Sequence, residues 1–178
     1  MYKRQAKKEK KIAKQQKKFQ KNRSSALKEM YKIYPTSKSD MANSYAYAAF
    51  ANTGVNLLVL ASGNGGGVAH NNATGAEVYV KMVSYGAGIG LGVKKYFAVF
   101  LFENKAAYDV FLKSGWSAEG SADATADTGK EGQGGSVGVG MTVADGVQLY
   151  QMADKGFSVE ATVKGTKFIV SDELNGTE

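Results

Sequence analysis

The sequence contains no cysteine, one histidine (His70) and one proline (Pro35). Without cysteine there can be no disulfide, no thiolate metal site and no cysteine nucleophile. A single histidine also excludes a metal site built from several histidines. No stretch reaches the roughly 18 consecutive apolar residues that a transmembrane helix needs. What remains is a chain of 178 residues, 43% of them apolar and 22 of them glycine, which is enough for one globular domain with a buried core.

Positive charge is concentrated at the start of the chain. Residues 1–39 hold 14 Lys/Arg and 2 Asp/Glu, a net charge of +12, whereas residues 40–178 hold 9 Lys/Arg and 14 Asp/Glu, a net charge of −5. We therefore expect a basic arm, helical or disordered, over residues 1–25 and a separate domain over residues 26–178. Such arms meet anionic partners: nucleic acid, phospholipid headgroups or acidic proteins.

The first five residues, Met1-Tyr2-Lys3-Arg4-Gln5, read like a translated sequencing adapter. If these residues come from an adapter, the lack of a recognisable signal peptide carries no information on the compartment.

The pattern beyond the arm changes from helical to alternating. Residues 6–34 favour an N-terminal helix whose apolar positions recur every seven residues, from Ile12 and Phe19 onward. Pro35 ends this helix, and a short helix capped by Ser39 or Asp40 is expected after it.

From residue 45 onward, short β-prone runs alternate with hairpin-length turns. Residues 66–71 and 76–84 read as the arms of a hairpin around a turn at residues 72–75. Residues 104–114 read as one short internal helix capped by Asn104 and Gly115. The prediction is an α+β, β-rich fold: a Gly-rich antiparallel sheet forming a sandwich or a partly closed barrel, with helices against it.

Glycine occupies every second position from residue 86 to residue 92. In a strand, these residues would leave one face without side chains, namely Gly86, Gly88, Gly90 and Gly92. Either close packing of protein on that face or an acyl chain lying against it would explain the pattern.

Catalytic and metal-binding motifs are weak or absent. Ser136 lies in a Gly-x-Ser-x-Gly pattern, but the order of residues that hydrolases require is missing because the only histidine precedes it. No Gly-x-Gly-x-x-Gly occurs, and no P-loop or EF-hand pattern is present. His70, beside an expected turn, is assigned no role. The sequence predicts no enzyme, no cofactor and no metal.

Several segments resemble, in order, those of the SYLF-domain family of lipid-binding modules. They are Tyr47-Ala-Ala-Phe50, residues 63–69, the alternating glycines, residues 97–102 and 104–111, Gly115-Trp116, and residues 156–161 and 165–168. The resemblance spans roughly residues 26–175 and implies one SYLF-like domain that binds phospholipid without enzymatic activity. Ala51 stands where many members have proline, and the extra domains of eukaryotic members are missing. Actin binding and phosphoinositide specificity are therefore not carried over.

We expect the basic arm to attract anionic phospholipid, with Ile12 and Phe19 inserting shallowly into the bilayer. A second basic patch is expected on the domain. The candidate lipid-binding residues are Lys7, Lys8, Lys10, Lys11, Lys14, Lys17, Lys18, Lys81, Lys94 and Lys95. The plainer alternatives are a solvated tail for the arm and edge-strand lysines for the patch.

The expected function is phospholipid binding at a membrane surface, in the envelope or periplasm of a bacterium, with the cytoplasm as the alternative compartment. Two other functions stay open. One is a structural or protein-interaction module of the envelope without a lipid ligand. The other is a nucleic-acid-associated protein that uses the arm, although no specific nucleic acid is expected because the domain is acidic and aromatic residues barely interleave with the arm's lysines.

Overall fold

The computed structural model describes residues 1–52, 65–84, 96–117, 141–153 and 166–177. Its helices are α1 (Tyr2–Ile33), α2 (Ser37–Ala42), α3 (Lys105–Ser114) and α4 (Asp172–Asn175). Its strands are β1 (Ala46–Asn52), β2 (Gly65–Asn71), β3 (Glu77–Ser84), β4 (Tyr96–Phe102), β5 (Trp116–Ser117), β6 (Met141–Ala144), β7 (Val147–Ala153) and β8 (Thr166–Val170).

The strands form one antiparallel sheet in the order β5-β8-β3-β2-β1-β4-β7-β6. The sheet curls into a half-barrel, so the α+β prediction with a partly closed antiparallel barrel is confirmed. The predicted hairpin in residues 66–84 is β2 and β3, joined by a turn in which Gly75 has a φ of 77°. Positive φ is costly for residues with a Cβ, which accounts for glycine at this position.

One face of the sheet carries a large aromatic core. Phe50, Phe100 and Phe168 contact one another across β1, β4 and β8, and Phe111 from α3 packs onto Phe100. The predicted helix over residues 104–114 is confirmed as α3, with the Asn104 side chain accepting a hydrogen bond from the Ala107 amide at 2.9 Å. The helix therefore covers this face of the sheet.

The opposite face of the sheet is covered by α1, which packs mainly on β1 and β2 and extends to β4 and β7. The helix passes residue 25 without interruption, so the arm and the docked segment are one continuous helix. Its first ten residues, 2–11, are exposed throughout, and the docked part begins near Ile12, earlier than the sequence pattern predicted. The boundary at residue 25 between an arm and a domain stays a prediction.

One local prediction needs correction. The short helix after Pro35 begins at Ser37, not after a cap at Ser39 or Asp40, and Thr36 precedes it. His70 belongs to β2, beside the turn that the sequence predicted. The alternating glycines (Gly86, Gly88, Gly90, Gly92), Lys94, Lys95 and Ser136 lie outside the described residues.

Candidate functional site

Lysine side chains form a continuous line along α1. They follow one another at intervals of three or four residues, with a single step of seven across Ser24, and all are exposed. We call this set the lysine stripe: Lys3, Lys7, Lys10, Lys14, Lys17, Lys21, Lys28 and Lys32. Residues at this spacing share one side of a helix, and at a rise of about 1.5 Å per residue the stripe is about 44 Å long.

The side of α1 opposite the stripe is fixed to the sheet by apolar contacts. Phe19, Ala26 and Met30 are completely buried. Ala26 and Met30 pack with side chains of β1, β4 and β7, whereas Phe19 packs with Val68 of β2 and Leu174 of α4. The apolar residues of the helix are therefore committed to the protein core.

Phe19 is seated on a glycine of β2. A Cβ atom at Gly66 would lie 2.3 Å from the Phe19 ring and 2.7 Å from the Val80 carbonyl oxygen, so only glycine leaves room for the ring. Bare strand backbone thus receives a packed side chain here, which is the role that the sequence suggested for glycines elsewhere in the chain.

Polar side chains of α1 add directed contacts to the apolar ones. The buried Asn22 amide donates hydrogen bonds to the Ala51 and Gly66 carbonyl oxygens, at 3.2 and 3.0 Å. Gln16 donates one to the Leu174 carbonyl oxygen at 2.8 Å. These bonds fix the rotation of α1 about its axis, and with it the direction in which the lysine stripe points.

A cluster of charged and polar groups fixes the same helix to the β2–β3 hairpin. Glu77 of β3 pairs with Arg23, accepts a hydrogen bond from Gln20 at 3.0 Å, and lies 3.0 Å from Nδ1 of His70. The His70 ring stacks on Tyr47 of β1 at 5.1 Å between centroids.

The electrostatics of this cluster favour an ionised Glu77. Burial alone would raise the pKa of Glu77, but the hydrogen bonds from Gln20 and His70 and the positive charge of Arg23 outweigh it. The pKa of Glu77 therefore lies below its usual value. Burial raises the pKa of the neighbouring Tyr47, only partly opposed by Arg23. No pattern in the sequence predicts this cluster, because His70 meets Glu77 through the strand register and Gln20 and Arg23 reach them only where α1 crosses the hairpin.

The lysines proposed from the sequence are distributed unevenly over the fold. Four of them, at positions 7, 10, 14 and 17, belong to the lysine stripe. Lys11 and Lys18 flank the stripe, and Lys8 is exposed on the docking side of α1, before the helix reaches the sheet. The other four stripe members, Lys3, Lys21, Lys28 and Lys32, were not among those candidates, although their spacing continues the same pattern.

Lys81 of β3 pairs in register with Gly66, so it lies on the face of the sheet that α1 covers. Its side chain is half-buried. The sequence placed this residue in a second patch with Lys94 and Lys95, and those two lie outside the described residues.

The expectation that Ile12 and Phe19 insert into lipid is wrong for this fold. Phe19 has no exposed surface, and Ile12 is partly buried against the apolar cluster that Phe19 forms with Val68 and Leu174. The physical reason is that Gly66 offers the ring a site inside the protein. A helical pattern shows which side of a helix is apolar but not which surface that side meets.

A cleft of about 330 Å³ lies at one end of the sheet, and it is acidic. Its lining is Asp40, Asn43, Ser44, Leu101, Glu103 and Gln148. Its two carboxylates would repel a phosphate, so we do not assign an anionic ligand to it. In the described segments, no group of three metal-ligating side chains occurs. Among the helices of those segments, none combines the length and the hydropathy needed to cross a bilayer.

No family model matches the sequence. The chain is similar to Beta cell expansion factor A of Aeromonas veronii, with 34% identity over 152 residues. The matched region covers 85% of this chain but 56% of the relative, so the chain spans little more than half of that protein's length. Similarity over most of its residues therefore relates this chain to a bacterial protein that is considerably longer.

Proposed function

We propose that this chain is a non-enzymatic phospholipid-binding module that acts at a membrane surface through the lysine stripe. The stripe is the observation that carries the proposal. Eight lysines share the outward side of a helix whose other side is docked, so their charges face one surface together. A lysine near an anionic bilayer contributes about 1 kcal/mol. Engagement of the whole stripe would then approach the roughly 8 kcal/mol that corresponds to micromolar binding.

We also propose that the chain belongs to the SYLF-domain family and acts in a bacterial cell envelope or periplasm. The order of SYLF-like segments along the sequence supports the family. The described segments among them, such as residues 47–50 and 97–102, belong to one curled antiparallel sheet. The similarity to a protein of Aeromonas veronii supports a bacterial setting.

Co-sedimentation with vesicles tests the proposal. The full chain is mixed with vesicles of phosphatidylcholine alone, or of phosphatidylcholine with phosphatidylglycerol, and in parallel with double-stranded DNA. Each mixture is measured at about 0.1 M and about 1 M salt, where the screening lengths are about 10 Å and about 3 Å. We expect binding to the anionic vesicles only, and loss of that binding at the higher salt concentration.

Two variants with equal charge changes assign the binding to the stripe. The stripe variant is K10Q/K14Q/K17Q and the control variant is K38Q/K105Q/K113Q, all at exposed positions. Glutamine keeps the helical propensity of lysine, so each variant loses three charges with little effect on the helices. We expect the stripe variant to lose most of the binding and the control variant to retain it.

Each other outcome points to an alternative. Equal loss in the two variants would mean that net charge and not the stripe is responsible. Salt-sensitive binding to DNA without binding to vesicles would favour a nucleic-acid-associated protein. No binding to vesicles or DNA would leave a structural or protein-interaction module.

A further inference from the structure

We propose that the lysine stripe recognises the charge density of a flat anionic bilayer and not the identity of any one headgroup. In this mode α1 lies along the headgroups while its apolar side stays on the sheet. The inference rests on the proposed phospholipid function and adds to it the class of ligand: lamellar phosphodiester headgroups with net negative charge, whatever alcohol they carry.

The docked side of α1 explains why the helix stays on the sheet. If α1 rolled its apolar side into lipid, Phe19 and Met30 would exchange one apolar environment for another. The sheet residues beneath them, including Val99 and Tyr150, would lose their cover with nothing in exchange. The two strand carbonyls bonded by Asn22 would also lose their donor. Leaving the sheet is therefore unfavourable, even at a membrane.

The form of the stripe explains why it does not select one headgroup. Neighbouring lysines stand about 4.5–6 Å apart along the axis, except for the step of about 10.5 Å from Lys21 to Lys28, so one headgroup reaches only two or three of the eight. Lysine is a compact, mobile point charge without the planar fork through which arginine binds a phosphate in a fixed geometry. The cleft found in the described residues is acidic and contains none of the stripe lysines.

A plane suits this surface better than a rod-like polyanion. The helix is the outer layer of the domain on its face, and the stripe points away from the sheet along about 44 Å, so all eight lysines can approach one plane together. A DNA duplex could contact the whole stripe only with its axis parallel to that of α1. Elsewhere it would face a chain whose residues 40–178 have a net charge of −5.

The first test compares headgroups at equal charge. The full chain is titrated with vesicles containing the same fraction of phosphatidylserine or of phosphatidylglycerol, both monovalent anions. We expect the two affinities to agree within about threefold, because lysines near the surface respond to charge and not to the alcohol. Millimolar soluble glycerophosphoserine should not compete. Strong preference for one headgroup, or competition by the soluble one, would overturn the inference.

The second test measures how α1 lies on the membrane. The chain has no cysteine, so S24C accepts a single fluorescent label at an exposed position between Lys21 and Lys28. Lipids that carry a quencher at the headgroup should quench this label strongly, and lipids quenched deep in the acyl chains should quench it weakly. The reverse order would show insertion, and no quenching by either would show that the helix has rolled its stripe away from the bilayer.

The proposed function and the lack of headgroup selectivity are overturned by different results. No binding to any anionic vesicle would overturn the proposed function itself. Binding with headgroup selectivity or with insertion would keep the proposed function and overturn only this inference. A rolled helix would keep phospholipid binding but overturn the role of the lysine stripe in it. Binding to DNA as tight as to anionic vesicles at the same salt concentration would overturn it in favour of a general polyanion surface.

Discussion

Replacement of Asn22 by alanine tests how α1 is fixed to the sheet. The Asn22 side chain is 6% exposed and donates two hydrogen bonds to strand carbonyls. Each lost hydrogen bond costs about 1 kcal/mol, and carbonyls left unpaired in a buried place add about 1–3 kcal/mol. Alanine returns about 0.5 kcal/mol through its higher helix propensity. The free energy of unfolding should therefore fall by about 2.5–4.5 kcal/mol.

Urea unfolding followed by far-ultraviolet circular dichroism measures this change. The midpoint should fall with an unchanged slope, since the change alters stability and not the surface exposed on unfolding. The matched control is K21A, one residue away on the exposed side of the same helix, which should stay within about 0.5 kcal/mol of the parent. If N22A and K21A unfold at the same midpoint, the Asn22 amide does not hold α1 on the sheet.

Replacement of Asn22 by aspartate gives the same contact a dependence on pH. A carboxylate cannot donate to the two carbonyl oxygens and would face them with a negative charge, which raises its pKa in the folded state. A raised pKa favours folding below the unfolded value of about 3.9, and this advantage is lost as pH rises through the folded pKa. Relative to the parent, N22D should therefore be less destabilised in acid than at neutral pH. A constant difference across pH would contradict this geometry.

Three further predictions concern the packing and the electrostatics. F19A should lower the free energy of unfolding by about 3–5 kcal/mol, because it leaves a cavity at the fully buried position above Gly66. Urea unfolding measures this change, and a loss below about 1 kcal/mol would contradict the burial of Phe19. Glu77 has a lowered pKa in the folded state, so its contribution to stability is present above pH of about 4.5 and is lost as pH falls through the folded pKa. The stability difference between the parent and E77Q should thus shrink on acidification, and a difference that grows would refute the proposed pairing. N104A should lower the free energy of unfolding by about 1 kcal/mol, because it removes the N-cap of α3. The control K105A should lower it by less than about 0.5 kcal/mol, and thermal unfolding measures both variants. Equal losses would show that the cap does not stabilise the helix.

Local signals in the sequence predicted much of the fold. Asn104 and Gly115 mark the ends of α3, and a turn ending in Gly75 separates the two arms of a hairpin. These features depend on residues close together in the chain, where capping and turn chemistry act. The alternating apolar runs likewise predicted strands, and short connections predicted their antiparallel pairing.

Contacts between distant segments were not predictable in the same way. The heptad pattern showed that Phe19 lies on the apolar side of a helix, but a bilayer and a sheet are equally suitable surfaces for such a side. In the fold, Gly66, which lies 47 positions later, favours the sheet over the bilayer. Because Gly66 has no Cβ, the Phe19 ring has room to pack on the strand. Similarly, Arg23, His70 and Glu77 form a cluster only because α1 crosses the β2–β3 hairpin at that level.

The sequence by itself determined the charge of α1, its helical period and the β-rich character of the remaining chain, since these follow from residue type and short-range spacing. The tertiary structure alone decided which way the helix faces. Because the apolar side of α1 is docked on the sheet, the residues that could enter lipid are buried, and the lysines face outward in one line. The reason is physical: a helix has a single apolar side, and once protein covers that side, only the charges remain for a partner.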